Sequence, residues 1–265
     1  VRFSKLKRSK RQLALCLLAL FSFACSTEAS RQRHFDNGQR HLAADETSEA
    51  IIEFRNAVEG DPNWGEARFQ LGRAYEAHGR PERAFREFLR AADLLPDDGR
   101  AQLKAADYLL MARQWDDAEA RAKRVLAKDP NNIPARVVVA HAMAGRRNVD
   151  EAVNAMHEAI ALEPGRTASY DSLARIYLNA GRRAEALAAY QKAVEADPTS
   201  LDAHVALGNF QRAGGDVAAA QASLTRALAL DPAHVGANRA MAEIHTASRR
   251  PQDAERHLQV LAQAS

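Results

Sequence analysis

Six of the chain's nine prolines fall on one 34-residue comb: Pro62, Pro96, Pro130, Pro164, Pro198 and Pro232. An acid precedes five of them, at Asp61, Asp129, Glu163, Asp197 and Asp231, and Leu95 precedes the sixth. Ala50, Ala84, Ala118, Ala152, Ala186, Ala220 and Ala254 form a second comb of the same spacing. A fixed period of this size means that one supersecondary unit recurs, and each unit buries its apolar face only against its neighbours. Within residues 65–98 the pattern predicts a first helix over about 64–78, with Leu71, Ala74 and Tyr75 on one face. Gly79-Arg80 breaks it, and Pro81 opens a second helix over about 81–94, as Pro251 does in the last unit. Ala84, Phe88 and Ala91 follow at i, i+4 and i+7, which is one buried face. Gly181 and Gly215 mark the same inner turn. The Asp-Pro step between units is expected to act as a helix N-cap followed by proline, or as a tight turn into the next helix. A 46% hydrophobic content with only 6% aromatic suits helices packed through Ala and Leu, with little or no strand.

Residues 201–234 carry Leu207-Gly208, Ala220, Leu224, Ala227 and Pro232. Residues 65–98 carry Leu71-Gly72, Tyr75, Ala84, Phe88, Ala91 and Pro96, and residues 167–200 carry Leu173-Ala174, Tyr177, Ala186, Tyr190, Ala193 and Pro198. At these spacings the chain resembles the tetratricopeptide repeat (TPR) family over residues 31–265. The resemblance implies an all-α fold, a right-handed α-solenoid of about seven helix-turn-helix units. The units are 31–64, 65–98, 99–132, 133–166, 167–200, 201–234 and 235–265. The eighth place of each stays small, at Gly38, Gly72, Ala106, Ala140, Ala174, Gly208 and Ala242, so the helices can approach closely. The comb alanines are read as packing residues without a function of their own.

In this family the first helices of successive units line a concave groove where partners bind, at the second, fifth, ninth and twelfth places. The fifth places here are Phe35, Phe69, Leu103, Val137, Asp171, Val205 and Arg239, and the ninth are Gln39, Arg73, Asp107, His141, Arg175, Asn209 and Glu243. With Leu110 and Met111 the N-terminal half of the groove reads as apolar. The C-terminal half reads as polar, through Asp171, Arg175, Asp202, Asn209 and Arg212. The groove is therefore expected to hold an extended or helical apolar segment of a partner, while some of these side chains complete the inter-helix core instead. The carboxylate clamp of some TPR domains needs Lys at the fifth place, which no unit has. In the last unit Leu258 and Leu261 are expected to pack inward. Val260 and the helix side facing a further unit are expected to stay open, covered by a partner or by more of a longer array.

Residues 1–25 read as an export signal: a basic stretch from Arg2 to Arg11, then an apolar run from Leu13 to Ala24. That run of about a dozen residues is short of the roughly 20 that a spanning helix needs. The opening Val1 fits translation from a non-AUG codon. Ser22-Phe23-Ala24-Cys25-Ser26 resembles a bacterial lipobox, which implies acylation of Cys25 and outer-membrane sorting. Ser22 stands where that pattern has Leu, and Ser22 and Ala24 also suit an ordinary signal cut after Ala24. The only cysteines are Cys16 and Cys25, so an exported chain would have no disulfide to form. Residues 26–30 are expected as a short tether. Six of the 37 basic residues lie in the leader, leaving 31 against 34 acids in the remainder. The sequence pI near 9.0 therefore reflects the leader and is no evidence for nucleic-acid binding.

Nothing in the sequence supports catalysis. His157-Glu158 begins a zincin-like string, but Ala161 stands where the second histidine belongs. No glycine loop for phosphates, G-x-S-x-G or calcium loop occurs. The nine histidines form no i, i+4 pair, so no metal, cofactor or small-molecule substrate is expected. The sequence points to a non-catalytic adaptor in a bacterial envelope that binds protein or peptide partners. Its alternative is a soluble periplasmic chaperone or maturation factor. Residues 49–57 resemble the first repeat of TPR lipoproteins of exopolysaccharide and exosortase systems. Length and repeat number are similar to the pilotins of type IV pili.

Overall fold

A computed structural model describes residues 28–263, which form fourteen helices and, among the described residues, no strand. The chain divides into two compact units, one ending at Met111 and one opening at Ala112. The first holds α1 (28–43), α2 (Thr47–Gly60), α3 (Gly65–Ala77), α4 (Pro81–Leu94) and α5 (Gly99–Met111). The second holds α6 (Trp115–Lys128), α7 (Ile133–Gly145), α8 (Val149–Leu162), α9 (Thr167–Asn179) and α10 (Arg183–Ala196). It continues through α11 (Leu201–Ala213), α12 (Val217–Leu230), α13 (Val235–Ala247) and α14 (Pro251–Gln263). Helices pair as α3/α4, α7/α8, α9/α10, α11/α12 and α13/α14, each pair one helix-turn-helix unit. The leader and Cys25 lie outside the described residues. Residues 28–30, expected in the tether, already belong to α1. The expected period 99–132 is cut between its two helices. That period carries Ala122 where the others carry Phe54, Phe88, Met156, Tyr190, Leu224 and Leu258, so it has the least side chain to bury at this place.

Burial follows the combs. All seven comb alanines are at most 2% exposed. Where the eighth place is glycine, a large side chain sixteen residues on fills the space. A Cβ at Gly38 would lie 2.7 Å from the Phe54 ring, one at Gly72 2.7 Å from the Phe88 ring, and one at Gly208 2.7 Å from Leu224 Cγ. Phe54, Phe88 and Leu224 are fully buried, which stabilises by about 1.5–3 kcal/mol each. Leu258 holds the same place in the last pair but is 51% exposed, contrary to the inward packing expected. Phe88 is covered by Tyr108 of the following helix, at 5.3 Å between ring centroids, and no described helix follows α14.

The Asp-Pro step is a tight turn and not an N-cap. Asp61, Asp129, Asp197 and Asp231 are the C-caps of α2, α6, α10 and α12. Their carbonyls accept from the amides of Trp64, Asn132, Ser200 and His234 at 3.1–3.2 Å. Their carboxylates accept from Asn63, Asn131, Thr199 and Ala233 two residues on. Proline fits the second turn position because φ is preset there and no amide hydrogen is required. The true N-caps stand three residues past the acid, at Asn132, Ser200 and His234.

A latch closes each of these turns. The fourth residue of a unit donates to a turn carbonyl: Arg68 Nε to Pro62 O, Arg136 Nε to Pro130 O, Tyr170 Oη to Pro164 O, Asn238 Nδ2 to Pro232 O, all at 2.8–3.0 Å. His204 Nε2 does the same to Pro198 O at 2.9 Å. Buried Gln102 donates instead to Ala92 O and Leu95 O. Four residue types, Arg, Tyr, His and Asn, thus satisfy the same recurring acceptor, the carbonyl of the turn proline.

Candidate functional site

In the first unit the groove places fall on α1, α3 and α5. Phe35 and Phe69 sit in the core and not on the surface, at 7% and 8% exposure. The Phe35 ring packs on Trp64 at 4.6 Å and Phe54 at 5.8 Å, and Phe69 packs edge-on against Phe88 at 5.5 Å. The large rings of the second helices draw both phenylalanines inward by offering them an aromatic surface. The apolar surface of the groove therefore narrows to α5. Leu103 and Leu110 are half-buried and Met111 is 73% exposed. With Asp107 they stand at i, i+4, i+7 and i+8 on one helix face.

Charged groups frame that face. Lys104 Nζ lies 2.8 Å from Glu76 Oε1, which also accepts from Tyr108 Oη at 3.1 Å. Burial, with Glu76 beside it, pushes the Tyr108 hydroxyl up to about 12. Asp107 is raised by desolvation, opposed by Lys104 and reinforced by Glu76. Arg73 is exposed, and its Nη1 donates to Gln70 Oε1 at 3.0 Å. Arg100 joins Glu66 at 3.1 Å, tying α5 to α3.

In the second unit the groove places lie on α7, α9, α11 and α13. Val137 is half-buried and packs against the core below it. His141 is pushed down to about 4 by burial and by the Arg175 charge, so it is neutral at physiological pH. Asp171, Asp202 and Val205 line a cavity of about 320 Å³ between α9, α10 and α11, together with Tyr190. Burial raises the Asp171 carboxyl; Arg175 and the Tyr190 hydroxyl oppose that shift, and Asp202 adds to it. Asn209 is half-buried. Arg212 reaches Glu243 at 2.8 Å and bridges α11 to α13.

The structure thus brings Asp171, Arg175, Asp202 and Val205 together and gathers Leu103, Asp107, Leu110 and Met111 on one face, while it withdraws Phe35 and Phe69. Tyr190 was missed in the sequence because it belongs to a second helix and stands at a core place. These groups can hold a polar or apolar polypeptide segment by contact and hydrogen bonding. Among the described residues no group of three or more His, Cys, Asp or Glu side chains could hold a metal ion. Among them too, no helix is long and apolar enough to cross a membrane.

Family models described as tetratricopeptide repeat match residues 35–99, 109–176, 167–210 and 211–265. DnaJ homolog subfamily C member 3 of Bos taurus is 29% identical over 107 residues, which is 40% of this chain and 21% of that protein. The chain thus covers about a fifth of the length of that curated relative. A tetratricopeptide repeat protein from Parabacteroides merdae superposes with a TM-score of 0.65 at 18% identity, covering 76% of this chain and 78% of the other. PilF of Pseudomonas aeruginosa superposes with a TM-score of 0.53 at 14% identity, covering 82% and 99%. At these identities the two structures share the fold alone.

Proposed function

Because the chain belongs to the tetratricopeptide repeat family, we propose that it works as a non-catalytic adaptor of a bacterial envelope, holding a segment of a partner protein in its groove. The observation that carries this reading is the α5 face. Met111, at 73% exposure, stands beside Leu103 and Leu110 and is framed by the Lys104–Glu76 pair. An unbranched thioether adapts to varied apolar partners, and the flanking charges orient a polar backbone. The adaptor assists assembly or export of an envelope complex, anchored through an acylated Cys25. The lipobox-like stretch at 22–26 supports the anchor.

A photo-crosslinking amino acid at position 111, in the full chain in its native host, tests the groove. An adduct with an envelope protein is expected there and not at position 52, where Ile52 is 58% exposed on α2, a second helix. Equal adducts at both positions, or none at 111, would remove the groove reading. Intact mass of the membrane fraction tests the anchor. Wild type should carry a diacylglyceryl increment that Cys25→Ser loses together with membrane association. An unmodified chain cut after Ala24 and found in the soluble fraction would favour a soluble periplasmic maturation factor.

A further inference from the structure

A crevice between neighbouring second helices recurs along the second unit. In the α6–α7–α8 crevice Arg136 pairs with Glu158 at 3.3 Å. In the α8–α9–α10 crevice Lys192 stands with Glu195. The crevice between α12, α13 and α14 has a volume of about 430 Å³, and its walls include Leu228, Met241 and Val260. No acid lines it, and its one cation, Arg256, has no ion pair among the described residues.

Arg256 is nevertheless held in place by a relay of hydrogen bonds. Asn238 Nδ2 donates to Pro232 O at 2.9 Å. Asn238 Oδ1 then accepts from His257 Nδ1 at 2.8 Å, leaving His257 Nε2 to accept from Arg256 Nε at 3.2 Å. Asn238 and His257 are 2% and 6% exposed. Burial, and then the Arg256 charge, lower the His257 pKa, which keeps this ring neutral and able to accept. The relay uses Nε, and neither terminal nitrogen of the guanidinium, which lines this largely apolar cavity, has a hydrogen-bond partner among the described residues. A carboxylate matches that fork bidentately, and a cavity at the small end of the roughly 300–1,000 Å³ of ligand sites takes one or two aliphatic side chains.

We propose that this crevice binds a segment of a partner protein in which an acidic side chain stands beside an aliphatic one. The acid pairs with Arg256, and the aliphatic group lies against Leu228, Met241 and Val260. The site is built by α12, α14 and the α13 residues Asn238 and Met241, neither of which is a groove place.

The probe is a fluorescein-labelled, amidated Ala-Leu-Glu-Leu-Ala peptide, compared by anisotropy with its glutamine counterpart on the full chain. The glutamate peptide should bind wild type at least about tenfold tighter. Arg256→Met should erase that preference; its side chain is exposed, and circular dichroism checks the fold. Val260→Glu keeps Arg256 but supplies an internal acid at the place Glu158 holds three periods earlier, and should erase the preference too. Equal affinities on wild type, no binding of the glutamate peptide, or a preference surviving in either variant would overturn the proposal. Displacement by octanoate at lower concentration than by unlabelled peptide would overturn the polypeptide assignment in favour of a free aliphatic carboxylate.

Discussion

Gly181 and Arg147 occupy the same turn with the same handedness, at φ +75° and +69°. The left-handed residue recurs in every unit, at Asp45, Gly79, Arg113, Arg147, Gly181, Gly215 and Arg249. The following amide bonds five residues back, as Arg80 to Tyr75 O at 2.8 Å and Arg182 to Tyr177 O at 2.8 Å, which closes a Schellman turn. A Cβ at Gly181 would meet nothing within 4 Å, so Gly181→Ala changes only backbone strain. It should cost about 1 kcal/mol in urea unfolding, and Arg147→Gly should recover a comparable amount. Gly72→Ala differs in mechanism, because its Cβ would strike the buried Phe88 ring; overpacking of about 1–3 kcal/mol is expected. The glycines of this turn were legible in the sequence. The arginines were not, since an arginine carries no sign of its φ. The latch donors were hidden for the same kind of reason: Arg68, Tyr170, His204 and Asn238 share a donor, not a residue type.

At the scale of elements, the α13–α14 hairpin is the one built around histidines. His245 is 2% exposed, stacks on His257 at 5.6 Å, and has no hydrogen-bond partner at either ring nitrogen among the described residues. Desolvation lowers its pKa, as do Arg250 and Arg256, while Asp253 opposes them. His257, on α14, is lowered first by burial. A histidine lowered on folding binds its proton more readily in the unfolded chain. The hairpin's stability is therefore full above the ordinary value near 6.5 and falls as pH drops below it. Amides of α13 and α14 should exchange faster at pH 5 than at pH 7.5, relative to those of α9 and α10. His245→Leu should flatten that difference, and an unchanged pH response in this variant would contradict the assignment. The helix pairs themselves were legible from the two periods of the pattern, with Pro81 and Pro251 opening α4 and α14 as expected. The turn chemistry was half legible, because an acid before proline can cap a helix or open a turn, and only backbone direction separates the two.

For the whole molecule, the division after Met111 places one tryptophan in each compact unit, Trp64 in the first and Trp115 in the second. Repeat arrays lose two-state behaviour when neighbouring segments couple weakly. Trp64→Phe leaves Trp115 as the only tryptophan, and Trp115→Phe leaves Trp64. Guanidinium unfolding followed by fluorescence in the two variants should give different midpoints, and coincident midpoints would show one cooperative unit. The helix pairs, their period and the small residues at the helix contacts were all readable from the residue pattern, since a repeat imposes the same packing requirement at the same place each time. The pattern also located the groove places. Which of those places face water follows from packing between helices. Phe35 and Phe69 hold the same register position as Leu103, yet their rings pack on Phe54 and Phe88, at 5.8 and 5.5 Å between centroids. Exposure depends on the side chain nineteen residues on, and a position in the period does not specify which residue stands there.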